Sequence, residues 1–584
     1  MNNNIINNIT MEEYIHLFNS KSEFLDYVNG PNYTQPFLST THIGNNSYRV
    51  DYNQTEREEN KKQPLTFEIF SEGDIIWSSS DSRTRTIEYS KNGGEWIEIT
   101  SNSAGTSSIH VVSGDTIQFR GDNSAYGTDE YQNSFSWTTC GFNVKGNIMS
   151  LIDSTGFTTA TTLTSGYALK SMFLLCAGLV DASNLILPAT ALTYNCYESM
   201  FYGCSSLTKV PELPATNLAD ACYLFMFNEC TSLTTLPLDY LIATTVPAYA
   251  YAYMFNHCHN LTNAPQLSAT NLAYACYIQM FGYCERLTTA PALPATAMSD
   301  FCYASMFLGC TSLVNAPALP ATTVEGECYE SMFNGCTSLV NAPDLPATTV
   351  GESGYTLMFY GCTSLTGAPI MSATVLDNYC CAHMFQDCTG LTTAPVLPAT
   401  AMSDSCYASM FRGCTSLVNA PALPATSLAA SCYDAMFAES GLITAPALPA
   451  TTLAEGCYNS MFYSCTSLVN APALPATTLA ASCYSDMFNN CTSLVNAPEL
   501  NALTLTDWCY SSLFAACTSL QYIKCLATDI SATGCTTDWV VWVPGNGSFV
   551  KNPDMSNWTT GVDGIPDGWT VSNWYGIIDG GDDN

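Results

Sequence analysis

CYSDMFNNCTSLVNAPEL, residues 483–500, decides the fold, because near-copies of it return along most of the chain. Met487-Phe488 is its most constant pair. The matching aromatic recurs at Phe173, Phe201, Phe227, Phe255, Phe281, Phe307, Phe333, Phe359, Phe385, Phe411, Phe437, Phe462, Phe488 and Phe514, which makes 14 copies. Most lie 26 residues apart, with two gaps of 28 and one of 25, between Phe437 and Phe462. Near-constant length with rare insertions implies a solenoid in which each copy stacks on its neighbours. Positions are numbered below from this Phe, so that Cys483 is −5 and Asn496 is +8.

Two periodicities share one copy. From Cys483 to Cys491 the apolar residues fall at offsets 0, 1, 4, 5 and 8, a stripe along a short helix of about two turns. Leu494, Ala497 and Leu500 then follow at intervals of three. Pro472 and Pro475 bracket Ala473-Leu474 in the preceding copy, and proline cannot donate to a ladder, so any strand there is short. The expected turn is a short parallel strand, a proline-bounded bend, a Thr-rich approach and a helix. Stacked, such turns form an α/β solenoid.

The pattern LPATTLAxxCYxxMFxGCTSL resembles the leucine-rich repeat of BspA-like surface proteins, in the form carried by gut Bacteroidetes and their crAss-like phages. The resemblance covers residues ~165–526, about 60% of the chain. It departs from the family in the Met before the aromatic, the Tyr after the first Cys and the Ala-Pro of the strand. It implies a right-handed solenoid of about 14 turns that binds surfaces or partners without catalysis.

The 28 cysteines suggest a disulfide framework until they are placed on the repeat. Eleven stand at −5 and thirteen at +3. Bonded partners should be lost together, yet Ala250 and Gly354 replace the first Cys where Cys258 and Cys362 remain, and Ser440 replaces the second where Cys432 remains. Unpaired loss points to ladders of small buried thiols, suited to assembly in a reducing cytoplasm. The Met at −1 and the Tyr at −4 belong to the core, with the tyrosine hydroxyls expected near the edge.

Outside the array, residues 1–60 read as an N-terminal attachment segment, with a short helix at Tyr14–Phe18 broken by Gly30-Pro31. FNSKSEFLDYVNGPNYTQPFLSTT with YRVDYN resembles attachment segments of Bacteroides phage structural proteins. Residues 61–150 read as a small all-β sandwich, with strands expected at Leu65–Phe70, Ile75–Trp77, Thr86–Ser90, Glu95–Thr100, Ser108–Val112 and Thr116–Arg120, and a hairpin turn at Asn92-Gly93. Residues ~135–170 lead into a capping first repeat within the solenoid of 151–526. Residues 527–584 carry five tryptophans and an acidic tail, read as a C-terminal cap.

Composition bounds the function. Sixteen Lys and Arg against 50 Asp and Glu give a net charge of −34, which disfavours nucleic acid and anionic membranes as partners. Hydrophobic residues make up 47% and charged ones only 11%, so a disordered acidic chain is excluded. No apolar run suffices for membrane insertion and no secretory signal is visible at the N-terminus. The array 171–523 holds Lys209, Arg286 and Arg412 against 22 acids, whereas residues 1–150 hold ten bases and nineteen acids, which reads either as docking to an assembly at the N-terminal end or as a simply polar linker. No phosphate loop, GxSxG elbow, HExxH helix or CxxC pair occurs. His257-Cys258-His259 reads as an exposed histidine pair, so no catalytic residue, cofactor or metal is expected.

The remaining function is contact. The residue at +8 varies among polar types: Lys209, Thr235, Asn263, Thr289, Asn315, Asn341, Gly367, Thr393, Asn419, Asn470 and Asn496. If +9 points inward, +8 points to solvent, forming a polar stripe that either touches a ligand or bonds to itself along the axis. The expected role is a phage fibre or decoration protein, exposed on the virion after assembly in the bacterial cytoplasm. Residues 1–150 would join other virion proteins and the solenoid would meet a host-surface glycan or protein; a homo-oligomer is compatible with this. The alternative is an adhesin on the bacterial surface.

Overall fold

A computed structural model describes residues 40–44, 47–50, 54–79, 85–101, 107–123, 133–163 and 165–575. The expected helix at Tyr14–Phe18, most of the phage-like segment and the acidic tail lie outside them. The chain builds a small β domain followed by a β-solenoid.

The β domain opens with hairpin β1 (Thr40–Gly44) and β2 (Ser47–Val50), then helix α1 (Gln54–Lys62). Six strands stand where alternation placed them: β3 (Leu65–Ile69), β4 (Gly73–Ser79), β5 (Thr86–Lys91), β6 (Trp96–Thr100), β7 (Ser107–Val111) and β8 (Thr116–Arg120). The turn between β5 and β6 has positive φ at both Asn92 and Gly93 and closes with Gly94 N–H to Lys91 O, 3.0 Å. With β9 (Asn133–Ser134), β10 (Phe142–Asn147) and β11 (Asn184–Ile186), the strands form one sheet ordered β11-β10-β3-β8-β5-β6 and a second ordered β7-β4-β9. Phe135 joins the inner faces, its ring 4.9 Å from both Phe67 and Trp77 and 4.6 Å from Phe119.

The solenoid begins inside this domain. β10 pairs antiparallel with β3 on one side and parallel with β11, from the first solenoid turn, on the other. Phe135 N–H donates to Met172 O at 2.8 Å and Trp137 N–H to Leu174 O at 3.3 Å, the cross-turn bonds that later turns repeat. The Phe135 ring lies 6.2 Å from that of Phe173. The expected boundary at residue 150 therefore runs through a shared sheet, and the β domain supplies the rung on which the first turn stacks.

The expected helix in each turn is absent, so the array is not α/β; among the described residues α1 is the only α-helix. The segment from −8 to +3 is a ribbon of overlapping turns. Even positions donate to the next turn: Tyr197 N–H to Cys222 O (2.9 Å), Ser199 to Leu224 (2.8 Å), Phe201 to Met226 (2.9 Å) and Gly203 to Asn228 (2.8 Å). Odd positions donate three residues back: Cys196 to Thr193 (3.3 Å), Met200 to Tyr197 (3.2 Å), Tyr202 to Ser199 (3.1 Å) and Cys204 to Phe201 (3.1 Å). From Asn195 to Cys204 every N–H has a partner, as burial requires. The fold needs left-handed backbone at −6, −2 and +2, as at Asn195, Ser199 and Gly203. Left-handed backbone costs an L-residue roughly 1–2 kcal/mol, which explains the Ser, Gly and Asn in many turns. The misreading has a physical cause: offsets 0, 1, 4, 5 and 8 keep a strict period of four, which over nine residues also fits one face of a helix.

Ladders fill the interior. The Phe rings run from Phe173 to Phe514 with centroids 5.3–5.9 Å apart, and all are fully buried. Tyrosines at −4 stack beside them at 5.7–6.2 Å. At the far end β12 (Asn496–Leu500), β13 (Tyr522–Cys525), β14 (Ser548–Lys551) and β15 (Thr570–Asn573) form a parallel sheet. Trp539 is buried, stacks on Trp558 at 5.5 Å and donates Nε1–H to Gly564 O at 2.7 Å. Trp569 is also buried, whereas Trp542 and Trp574 are exposed, so only part of the tryptophan set closes the end.

Candidate functional site: the polar columns on the sheet side

Each turn leaves its ribbon at a fully buried Leu, at +6 except for Leu442 at +5 in the turn of Phe437, and then alternates. In one turn Asn470 is exposed, Ala471 half-buried, Pro472 buried, Ala473 exposed, Leu474 buried, Pro475 exposed, Ala476 buried and Thr477 exposed. Leu and Ala face the core, so +8 faces solvent, and single β-bridges hold it in register. One run links Asn263, Thr289, Asn315, Asn341, Gly367 and Thr393; another links Asn419, Thr444, Asn470 and Asn496. The proline two residues later interrupts the pairing, as its missing N–H requires, and pairing resumes only in places, as between Leu345 and Met371 or Glu499 and Lys524.

The predicted residues are not equivalent. Thr235, Thr289, Asn315, Asn341, Thr393, Asn419, Asn470 and Asn496 are exposed. Lys209 is exposed too, but its Nζ pairs with Asp181 of the preceding turn at 3.0 Å. Asn263 is half-buried and turns inward, donating Nδ2–H to Leu236 O at 2.7 Å and accepting from Leu236 N–H at 3.0 Å. Asn341 Nδ2 reaches Asn315 Oδ1 at 3.5 Å, the weak end of hydrogen bonding. The amides of Asn419, Asn470 and Asn496 bond to no described residue.

Two features escaped the sequence reading. Thr444 belongs to the column, but the one-residue deletion before Phe462 moves it to +7. A second column runs at +15, through Thr270, Thr296, Thr322, Thr348, Thr374, Thr400 and Thr426, all exposed. Their backbones bond along the axis, as from Thr348 N–H to Thr322 O at 3.0 Å, while their hydroxyls bond to no described residue. The signal was available, since this Thr recurs in ten of the 14 copies without occupying the core. Thr444, Ala447 and Pro449 with Asn470, Ala473 and Pro475 line a shallow groove of about 520 Å³ between the columns.

Little charge stands on this face, chiefly the Lys209–Asp181 pair and the acids at +11, Glu212, Asp344 and Glu499. Acids at −7 occupy alternate turns, at Asp300, Glu352, Asp404, Glu455 and Asp507, with Gly326, Asn378, Ala430 and Ala481 between them. Carboxylates one turn apart would stand about 5 Å from each other and repel strongly; two turns is about a Debye length. Three of these acids also accept an N–H from the next turn: Asp300 from Gly326 (3.1 Å), Asp404 from Ala430 (3.0 Å) and Asp507 from Thr533 (2.9 Å).

The other candidates have structural roles. The +3 thiols donate S–H to the Phe carbonyl of the preceding turn at 3.0–3.2 Å, from Cys176 on Phe135 to Cys517 on Phe488. Burial pushes Cys258 and Cys336 up to about 12. The tyrosine hydroxyls expected near the edge are buried instead, and those of Tyr197, Tyr329, Tyr407 and Tyr484 lack a partner. His257 and His259, expected to be exposed, are half-buried; the first stacks on Tyr283 at 4.5 Å and the second has Nδ1 3.3 Å from Glu285. Burial holds His257 below the usual imidazole range. Among the described residues no three His, Cys, Asp or Glu converge for a metal, and no helix is long and apolar enough to cross a membrane. The N-terminal bases expected to dock are engaged within the chain: Arg57 with Glu212, Lys61 with Glu58, Lys91 with Asp115, Arg120 with Glu88 and Lys145 with Glu68.

Residues 177–314 and 431–533 match the BspA type leucine rich repeat region in six copies, the type of repeat found in surface and adhesion scaffolds. No curated protein matches the chain.

Proposed function

We propose that this chain is a non-enzymatic virion structural protein, a fibre or decoration component, whose sheet-side columns contact a host-surface glycan or protein. The observation that carries the reading is the pairing of two one-per-turn columns of exposed, unbonded donors and acceptors on a rigid axis. The amides of Asn419, Asn470 and Asn496 and the hydroxyls at +15 are held in register by the backbone and have no structural use there. BspA-type repeats support a surface-contact role, and ladder thiols support assembly in a reducing cytoplasm. With each Phe rung taken as one turn, the array has the 14 turns of the sequence register, and residues 1–150 attach it to other virion proteins. The same repeat type favours a second reading, an adhesin on the bacterial surface.

Replacing Asn315, Asn341 and Asn419 by Ala tests the contact face. Lost host-cell or glycan binding with unchanged melting is expected; lost stability with unchanged binding would make the column a structural ladder. Deleting residues 1–39, which leaves every described residue in place, separates the two settings. Failure to enter particles is expected of the virion protein, and display on the bacterial surface of the adhesin.

A further inference from the structure

The outer face of the ribbon changes character along the array. In the turns at Phe411 and Phe437 its left-handed positions hold Ser405, Ser409 and Gly413, then Ser431, Ala435 and Glu439. In the four turns from Phe227 to Phe307 half of the twelve are rings, Phe225, Tyr249, Tyr253, His257, Tyr283 and Phe301, with φ between 55° and 60°, beside Ala221, Glu229, Ala275, Gln279, Ser305 and Gly309. Bulky side chains are rare with such backbone, and none of these rings belongs to the interior ladders, so neither local conformation nor the core selects them. Elsewhere the large residues at these positions are Tyr167 with Leu175 in the first turn, Tyr379 with His383, and Leu357 and Trp508 singly.

The rings form a patch. Phe225 stacks on Tyr253 at 4.7 Å, and Tyr274 meets both Tyr249 (5.4 Å) and Phe301 (5.5 Å) at steep angles; Tyr249 and Tyr274 are exposed, and Phe225, Tyr253, Tyr283 and Phe301 are half-buried. Carboxylates surround it. Glu229 accepts from Tyr202 Oη at 2.7 Å, Glu285 lies beside His259, and Asp300 precedes Phe301; Arg286 is the one arginine or lysine between Phe227 and Phe307.

We propose that this patch docks a protein segment bearing arginine or lysine among apolar side chains. Aromatic residues dominate the energetic centres of protein interfaces, ring faces attract cations, and the acidic rim selects basic partners. The site lies on the ribbon and is separate from the sheet-side columns.

Serine at positions −6 and −2 is native to other turns, so the triple variant Phe225→Ser, Tyr249→Ser, Tyr253→Ser should fold. Random displayed peptides are selected on the full chain and each is then measured against the triple variant. The expected result is peptides enriched in Arg and Lys that lose at least about tenfold in affinity on the variant, with its melting temperature not lowered. A melting temperature lowered by several degrees would show that the rings serve stability. Patch-dependent peptides without basic residues, or no patch-dependent peptides, would overturn the proposal. So would binding of neutral glycans on an array that the triple variant loses.

Discussion

The β domain and the solenoid share one continuous apolar core but hold it in different ways. In the β domain, Phe67, Trp77, Phe119 and Phe135 meet at angles of 46–64°, each in a setting of its own. In the solenoid, Phe rings from Phe173 to Phe514 lie within 17° of parallel, each between two copies of itself. A unique setting specifies its residue by shape. A repeated one specifies it by what the neighbouring turns already contain, and stability becomes a sum of nearest-neighbour terms.

The largest expected effect contrasts the two cores directly. Phe67→Ala and Phe333→Ala should each cost about 3–5 kcal/mol, since both rings are fully buried. Urea unfolding should distinguish them. Phe67→Ala removes the ring that stacks on Phe142 at 4.5 Å, on the shared strand, and should shift one transition, whereas Phe333→Ala interrupts the ladder and should split unfolding into two phases. A single, barely shifted transition for Phe333→Ala would refute the nearest-neighbour picture.

Alkaline pH should act on the solenoid more than on the β domain. Burial raises the ladder thiols, Cys258 and Cys517 among them, to about 12 from 9.0. The unfolded chain then releases its protons first as pH rises, so stability is fully present below pH ~8.5 and falls toward pH ~12, by about 1.4 kcal/mol per pH unit for each proton lost. Urea midpoints measured from pH 7 to 11 should stay level and then drop over several protons' worth of slope. A flat profile to pH 11 would mean that the thiols are not held neutral.

A smaller effect of opposite sign is expected at the tyrosine column. The hydroxyls of Tyr407 and Tyr484 are buried without partners, so Tyr407→Phe and Tyr484→Phe should each raise stability by about 1 kcal/mol. A loss of that size would reveal a hydrogen-bonding partner. Smallest is Ser440→Cys, which restores the +3 thiol beside Cys465, now 3.4 Å from the Ser440 hydroxyl. A change within about ±0.5 kcal/mol is expected; a larger destabilisation would show that the interval of 25 residues has reshaped that turn.

What was legible in the sequence follows the same division. Alternation located β3 to β8 because a two-faced strand writes its period directly into its residues. The interval of 26 disclosed stacking, and unpaired loss of Cys at Ala250, Gly354 and Ser440 separated the two thiol columns without any coordinates. The exposed +8 column was also legible, since variable polar residues beside constant Leu and Ala mark an outward face.

The local form of the ribbon was not legible. Cys483 to Cys491 spans too few residues for a period of four to drift from 3.6, about 40° in each four residues, far enough to leave the apolar face of a helix. The choice is made by the neighbouring turn, which supplies the carbonyls that the N–H groups at even positions need, with left-handed backbone at every second one of them. The inward turn of Asn263, the pairing of Lys209 with Asp181 and the use of Phe135 as the first rung are likewise decided across turns. The sequence by itself determined the repeat, its interior and its exposed columns, because burial leaves a one-dimensional pattern. Only the tertiary structure decided the backbone conformation and the partners of polar groups, because both depend on atoms a full turn away.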